Sequence, residues 1–203
     1  MRFDLLRVAI VGEAIALLAL PTLKNINFFE PVFVIVWLIF APSAALSGFY
    51  LIYLMSARWP VLLELGKYGL IGCFNFFFDA GIFNFFILIT GIATGWLVDI
   101  FIVMAFAITI TQSFLWNKFW IFKANDLANA RAEYAKFFGM TIATSLLGLL
   151  FMHLMINTIG APSGFDLKIW ANLALLVLIP TSALGNFLSY KFFVFKNEPR
   201  RIL

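Results

Sequence analysis

Charged residues are scarce in this chain of 203 residues: Asp, Glu, Lys and Arg make up 12% of it, whereas a soluble domain contains about 25%. Hydrophobic residues reach 64%, against about 45–50% in soluble domains. This composition excludes a water-soluble globular protein and indicates an integral membrane protein. Cysteine is nearly absent too, and the single Cys73 excludes both a disulfide within the chain and a cysteine-based zinc site.

Residue types that commonly serve in catalysis or bind metals are equally few. One histidine, one cysteine and widely dispersed acids supply neither a nucleophile with its base nor a metal cluster, so we expect no enzyme activity, no metal and no cofactor. The net charge of +4 is scattered along the chain rather than clustered, which argues against nucleic-acid binding. No connection between the apolar runs is long enough to form a nucleotide-binding domain.

Long apolar runs are what the sequence has in abundance. Their lengths approach the roughly 20 residues that cross a bilayer as a helix, and their continuity argues against alternating barrel strands. We therefore predict an all-α integral membrane protein with six transmembrane helices. The predicted spans are 5–23, 31–55, 68–90, 96–116, 134–156 and 168–188. Glu13 interrupts the first run, which favours a retained helix over a cleaved signal peptide.

Basic residues lie almost entirely on one side of the predicted helices. Twelve of the 14 fall on the side that carries both termini and the loops near 58–67 and 117–133, and only Lys24 and Lys168 fall on the other side. Because basic residues resist translocation, the crowded side is predicted to be the cytoplasm. We expect a multi-pass protein of the cell (inner) membrane with both termini cytoplasmic.

Two sequence motifs occur twice. ELGKY at 64–68 recurs as EYAKF at 133–137, and FLWNKFWIFK at 114–123 recurs as FLSYKFFVFK at 187–196. Self-similarity of this kind is typical of internally repeated folds. Since each copy contains two predicted spans, both copies enter the membrane from the same side, and we predict parallel repeats related by an axis along the membrane normal.

The repeat predicts the division of the chain. Residues 1–60 lie outside it and form an N-terminal two-helix membrane hairpin. Residues 61–203 form a four-helix core made of two parallel two-helix repeats, at about 64–123 and 133–196. We expect the hairpin to pack on this core without building the substrate path, because it lacks the repeated motifs.

The same motifs carry a family resemblance. KYGLIGCFNFFFD at 67–79 and FLWNKFWIF at 114–122 are similar to the opening helix and the closing phrase of the GtrA-like family, also called the GtrA/DPMS transmembrane domain. The resemblance spans about 64–197. Two departures are Tyr190, where the second copy often has Asn, and the hairpin 1–60, which is not part of the usual four-helix unit.

The resemblance implies a role in the synthesis of cell-surface polysaccharides or other glycoconjugates. It implies either translocation (flipping) of a polyprenyl-phosphate-linked sugar, or a non-transporting scaffold or anchor for a polyprenyl-phosphate glycosyltransferase. The expected partners are therefore a polyprenyl-phosphate-linked sugar, a membrane glycosyltransferase and the lipid bilayer. A bundle of six small helices is also compatible with a homodimer.

Polar side chains inside the predicted spans are candidates for a substrate path. They are Asn75, Asp79, Gln112, Asn172 and Asn186. Asp79 lies near the middle of the third span, where an ionisable group usually faces a bundle interior or a wet cavity. Asn75 lies one helical turn earlier on the same face. Either these side chains pass a sugar headgroup, or they only join helices by hydrogen bonds.

Four lysines stand at equivalent ends of the repeated spans: Lys67, Lys118, Lys136 and Lys191. Together with Asn117, which adjoins Lys118 in the closing motif, they are candidates for binding the lipid phosphate, because basic pockets between helices bind lipid head groups at this depth. The positive-inside rule alone also predicts lysines here, so both interpretations stay open.

Overall fold

The computed structural model describes residues 2–92, 96–124, 126–164 and 183–195, and it divides the chain into two compact units, 1–121 and 122–203. The described residues are helices and their connections, with no strand among them. This confirms the all-α fold class. The count of six spanning helices and the symmetry of the repeats remain predictions.

Unit 1 (1–121) contains four helices. They are α1 (Arg2–Asn25), α2 (Pro31–Ser56), α3 (Val61–Thr90) and α4 (Trp96–Trp116), and α4 continues into a π-helical turn, Asn117–Ile121. Pro31 is the first residue of α2, where the backbone N–H that proline lacks would have no partner within the helix. Gly91 ends α3 in the left-handed conformation, with φ of 69°, and its N–H bonds the carbonyl of Ile87.

Three helical segments of the described chain are long and apolar enough to cross a membrane. They are Pro31–Ser56, Val61–Thr90 and Ile100–Ile121. They overlap the predicted spans 31–55, 68–90 and 96–116, although α3 begins seven residues before the second of these. Their apolar side chains point outward: Val32 and Ile39 of α2 are 75% and 64% exposed. Such a surface suits lipid rather than water, and it supports the assignment to the membrane.

Helix α1 runs parallel to α3. At one end Asp4 meets Lys67, and at the other Asn25 donates to the side-chain and backbone oxygens of Asn84, both at 2.9 Å. Val8, Val11 and Ala16 of α1 are fully buried. The hairpin therefore supplies core residues to the same compact unit that contains the first repeat.

Close helix packing in unit 1 depends on particular glycines. A Cβ added to Gly81 of α3 would lie 2.5 Å from the backbone oxygen of Leu18 in α1, too close to be accommodated without a shift. Gly72, which shares a helical face with Asn75 and Asp79, has nothing within 4 Å of such a Cβ. The close approach between helices thus occurs at Gly81 and not at Gly72.

Unit 2 (122–203) contains α5 (Ala130–His153), which continues into a π-helical segment, Leu154–Ile159. A second helical segment, 183–189, continues into a π-helical turn at Tyr190–Val194. The aromatic rings of Phe137 and Tyr190 stack with centroids 4.1 Å apart and are both buried. Most of the predicted sixth span, 168–188, lies outside the described residues.

The two short π-helical turns occupy equivalent positions of the sequence repeat. Asn117–Ile121 and Tyr190–Val194 are each five residues long and are offset by 73 residues, the same offset as between the closing motifs. In the first, Asn117 Nδ2 donates to the carbonyl of Ser113 at 2.8 Å. In the second, the N–H of Phe195 bonds the carbonyl of Tyr190, five residues back. The repeated motif thus produces the same local widening of the helix in each unit.

The Gly81 contact predicts that alanine substitutions at Gly81 and at Gly72 change the stability of the protein differently. Gly81→Ala should lower stability by about 1–3 kcal/mol, the usual effect of overpacking, because its Cβ meets the Leu18 backbone. Gly72→Ala is the matched control in the same helix and should be neutral or stabilising, since alanine favours helix and the space is open. Thermal unfolding of the detergent-solubilised protein measures both, and equal melting temperatures would contradict the packing of α1 on α3.

Candidate functional site

A seam of polar side chains joins α3 and α4 inside unit 1. Gln112 Nε2 donates to Asn75 Oδ1 at 2.5 Å, and Asn75 Nδ2 donates to Ser113 Oγ at 2.8 Å. One turn further along α3, Thr109 Oγ1 donates to Asp79 Oδ1 at 3.4 Å. Asn75, Asp79 and Gln112, three predicted path residues, therefore lie together at one helix interface.

Asn117 extends the seam toward the end of α4. It is 1% exposed, and its Nδ2 lies 3.4 Å from Ser113 Oγ, the same hydroxyl that accepts from Asn75. A residue predicted to bind the lipid phosphate thus belongs to the hydrogen-bonded row of the path residues. We call the row Asn75, Asp79, Thr109, Gln112, Ser113 and Asn117 the polar seam.

Two acceptor atoms of the polar seam are buried and have no hydrogen-bond partner among the described residues. They are Gln112 Oε1 and Asn117 Oδ1. A buried amide oxygen normally finds a donor, because leaving it unpaired costs roughly 1–3 kcal/mol. The seam can therefore accept two further hydrogen bonds from O–H or N–H groups.

The beginning of α1, the beginning of α3 and the π-helical turn after α4 meet at one end of unit 1, which we call the Lys67 end. Lys67 Nζ and Trp120 Nε1 both contact Asp4 Oδ1, at 2.8 and 2.7 Å, and the ammonium lies 5.4 Å from the Trp120 ring centroid. Lys67 is 3% exposed. These are segments that the charge distribution assigns to one side of the membrane.

Asp4 titrates under two opposing influences. Burial raises the pKa of its carboxyl, but the hydrogen bonds from Lys67 and Trp120, with the charge of Lys67, outweigh burial and hold the pKa below its ordinary value of 3.8. The carboxylate is therefore the stable form at neutral pH. Lys67, predicted to bind a lipid phosphate, is already paired with this anion.

The other predicted lysines differ in their surroundings. Lys118 is fully buried, and its Nζ lies 5.8 Å from the centroid of the Phe119 ring. In unit 2, Lys191 is half-buried with Nζ 5.3 Å from the Phe187 centroid, whereas Lys136 is exposed. Lys67 and Lys118 belong to unit 1, and Lys136 and Lys191 belong to unit 2. The binding of one lipid phosphate by all four lysines stays a prediction.

A cavity of about 290 Å³ opens beside the polar seam. Its lining residues are Arg7, Gln112, Leu115, Trp116, Phe119 and Trp120. Gln112 therefore belongs to both the seam and the cavity, and Trp120 belongs to both the cavity and the Lys67 end. We call this space the Arg7 cavity.

Unit 2 has a hydrogen bond at the position equivalent to the Asn75–Ser113 contact. Thr144 Oγ1 donates to Asn186 Oδ1 at 2.6 Å, and in the sequence repeat Thr144 corresponds to Asn75 and Asn186 to Ser113. Tyr190 OH lies 2.6 Å from Thr141 Oγ1. Asn186 thus joins two helical segments, while Asn172, the remaining predicted path residue, lies outside the described residues.

Sequence reasoning missed Asp4, Arg7 and the role of Trp120. Trp120 follows the predicted fourth span, where aromatic residues commonly form an interfacial belt, but it is buried at 2% exposure and bonded to Asp4. The available signal was an acidic residue in the first turn of α1, on the side crowded with basic residues. Glu13, the other acid of α1, is exposed on the helix surface.

A second, apolar groove of about 470 Å³ lies between α2 and α3. Its walls are mostly small or aliphatic: Ala44, Ala45, Gly48, Phe49, Ile52, Met55, Leu62, Leu65, Gly66, Gly69 and Leu70. A Cβ added to Gly48 or Gly69 would meet nothing within 4 Å. These two glycines therefore leave open space in the groove.

The fold and the seam together define the class: a helical integral membrane protein with an amide-lined interface between spanning helices. Residues 67–195 match the family described as GtrA/DPMS, transmembrane domain, and this segment is more than half of the chain. The chain therefore belongs to the GtrA/DPMS family, and the predicted resemblance is confirmed. No curated protein and no solved structure matches it.

Membership in the family makes the chain a membrane protein of glycoconjugate synthesis. The matched segment contains the whole polar seam, Lys67 and Trp120. Asp4 and Arg7 lie before it, on α1. The N-terminal hairpin thus places two charged groups, Asp4 and Arg7, beside residues of the matched segment in unit 1.

The Asp4 contacts predict a pH-dependent stability. Asp4→Asn should destabilise the protein by about 1–3 kcal/mol at neutral pH, less than the 3–5 kcal/mol of a fully buried pair because Asp4 is 23% exposed. A carboxyl whose pKa is lowered on folding stabilises above its unfolded pKa, and this stabilisation is lost as pH falls through the folded value. The difference between wild type and variant in thermal unfolding should therefore vanish well below pH 3.8.

The control for this experiment is Glu30→Gln, which removes an exposed carboxylate. It should leave the melting temperature unchanged at neutral pH. A pH-independent effect of Asp4→Asn would show that the charge of Asp4 has no part in the contact with Lys67.

Proposed function

We propose that the chain translocates a polyprenyl-phosphate-linked sugar across the membrane. The observation that carries the proposal is the polar seam: amide and hydroxyl groups joined between two helices that can each span the bilayer, with two buried acceptors left open. A sugar in hydrocarbon must exchange the hydrogen bonds of its hydroxyls with water for new ones, and each unpaired polar group costs several kcal/mol.

Amides suit a neutral sugar because they donate and accept at once. Asn75 does both within the seam, while Gln112 donates to Asn75 and keeps its own oxygen unpaired, so a passing hydroxyl can replace one contact without leaving the partner unpaired for long. Asn75 and Asp79 lie eight and twelve residues beyond Lys67 in α3, or about 12 and 18 Å along the helix. The seam therefore extends from the Lys67 end into the middle of the span.

Asp79 tests the proposal. Asp79→Asn keeps the shape but removes the charge, and we expect translocation to fall about tenfold or more, the equivalent of losing one hydrogen bond to a charged group, with normal folded yield. Asp79→Leu should lose translocation and also lower the yield, since Thr109 loses its acceptor. The measurement is the appearance of a labelled lipid-linked sugar on the far leaflet of liposomes containing the purified protein.

The control variant is Glu30→Gln, an exposed carboxylate outside the seam, which should translocate like wild type. If Asp79→Asn is silent and Leu only lowers yield, Asp79 joins helices without taking part in passage. If Leu raises stability with translocation intact, neither interpretation of Asp79 holds.

One observation favours a second function, that of a non-transporting scaffold for a membrane glycosyltransferase. The apolar groove between α2 and α3 contains the small residues Ala44, Ala45, Gly48 and Gly69. Small residues let the backbone of another helix approach closely, which is how helices associate in lipid. A transmembrane helix of the glycosyltransferase is the occupant that this second function requires.

Filling the groove separates the two functions. Gly48→Leu and Gly69→Leu place a side chain in open space and should leave liposome translocation unchanged if the chain is a translocase. For a scaffold, wild type should not translocate, and these variants should lower polyprenyl-phosphate glycosyltransferase activity in membranes of the producing cells. Gly139→Leu, at an exposed glycine of α5 outside the groove, is the matched control and should resemble wild type in both assays.

A further inference from the structure

We infer that the Arg7 cavity binds the phosphosugar headgroup of a prenyl lipid before the headgroup enters the polar seam. The inference rests on the proposed function, which concerns passage along the seam, and it adds the site of entry and the residues that recognise the ligand. The ligand class is a single sugar esterified to a prenyl phosphate. The prenyl chain is taken from the proposed function, and three features of the cavity wall support the binding of one sugar with its phosphate.

Gln112 supplies the first feature. Its Nε2 is committed to Asn75 Oδ1 at 2.5 Å, which fixes the amide and leaves Oε1 as a buried acceptor without a partner among the described residues. A phosphate diester or a carboxylate has no hydrogen to donate to this oxygen, whereas a sugar hydroxyl has. The unpaired Gln112 oxygen therefore favours a ligand that carries hydroxyl groups over a bare anion.

Arg7 supplies the second feature. It is the charged member of the cavity lining, its side chain is exposed, and it lies one turn from Asp4 on α1. Asp4 is engaged by Lys67 and Trp120. The planar guanidinium offers paired donors that match phosphate oxygens, so Arg7 is placed to hold the phosphate that links sugar and prenyl chain.

The aromatic wall supplies the third feature. Trp116 and Trp120 meet edge to face, with centroids 5.4 Å apart, and Asp4 fixes the Trp120 indole through its Nε1. Rigid ring surfaces beside an amide and a cation form the usual mixture of apolar walls and few polar groups in small-molecule sites. The volume of about 290 Å³ is at the small end of such sites, which fits one sugar and its phosphate rather than an oligosaccharide.

The cavity and the seam share Gln112, so the two sites are continuous. A sugar hydroxyl bonded to Gln112 in the cavity is one hydrogen bond from Asn75, and Asn75 is one helical turn from Asp79. Entry at the cavity thus leads directly into the row of groups proposed to carry the sugar across.

Binding to the purified full-length protein in detergent tests the inference by calorimetry. The probes are a short-chain prenyl phosphate carrying glucose, the same prenyl phosphate without sugar, and phosphatidylglycerol. Arg7→Ala should weaken binding of both prenyl phosphates by about tenfold or more, as expected for one charge-assisted hydrogen bond. Arg58→Ala removes an exposed arginine that does not line the cavity and should change neither affinity more than about twofold.

Gln112→Leu separates sugar from phosphate. It should weaken the glucose-bearing probe by about tenfold and leave the bare prenyl phosphate unchanged. Thr111→Val is the matched control, because the Thr111 hydroxyl bonds the Ala107 carbonyl in its own helix, away from the cavity lining. If Gln112→Leu does not fold, the comparison of Arg7→Ala with Arg58→Ala still decides, since both side chains are exposed.

The inference is overturned if Arg7→Ala and Arg58→Ala bind alike, if Gln112→Leu weakens both prenyl probes equally, or if phosphatidylglycerol binds as tightly as the glucose-bearing probe. Liposome translocation by the same variants distinguishes the two proposals. Translocation at wild-type rate by Arg7→Ala, which lies outside the seam, would leave the proposed function standing and remove this site. Selective binding of the glucose-bearing probe without any translocation would support this site and remove the proposed function.

Discussion

A polar group inside a bilayer has no water to bond, so it must find its partner within the protein. In unit 1 this constraint joins α3 to α4 through Asn75, Gln112 and Ser113, and it leaves two amide oxygens open. An interface of leucines would satisfy packing with no polar groups to pair. The seam is therefore the feature on which the proposed passage of a sugar depends, because its groups both hold the helices and offer hydrogen bonds.

The Lys67 end shows the same constraint acting on charge. Lys67 is nearly inaccessible, and an unpaired ammonium at such a position would be costly, so Asp4 supplies the counter-charge and also receives the Trp120 N–H. Lys67 lies in the segment that matches the family, whereas Asp4 belongs to α1. The hairpin therefore supplies the counter-charge of a family residue. The absence of the repeated motifs from the hairpin predicts that it packs on the core without building the substrate path. If the Arg7 cavity is the entry site, the hairpin contributes its cation.

The two units solve one packing problem with different residues. Asn75 and Ser113 in unit 1 correspond in the repeat to Thr144 and Asn186 in unit 2, and both pairs are hydrogen-bonded. The amide and the hydroxyl have exchanged helices, which preserves a donor and an acceptor at the interface. Asn117 and Tyr190 likewise begin equivalent π-helical turns while bonding different partners. The two units thus form contacts at equivalent positions, although the residue types that form them differ.

The membrane class, the spans near 31–55 and 68–90 and the face shared by Asn75 and Asp79 could be predicted from the sequence, because hydrophobic length and helical periodicity are local properties. The resemblance of two motifs also indicated the family that the match over residues 67–195 confirms. Three features are visible only in the folded structure: the pairing of Lys67 with Asp4, the close approach of a neighbouring helix at Gly81 rather than at Gly72, and the cavity that Arg7 and Gln112 both line. Lys67 and Asp4 are 63 positions apart, and Trp120 and Asp4 are 116 apart. No local pattern encodes which helix ends will meet.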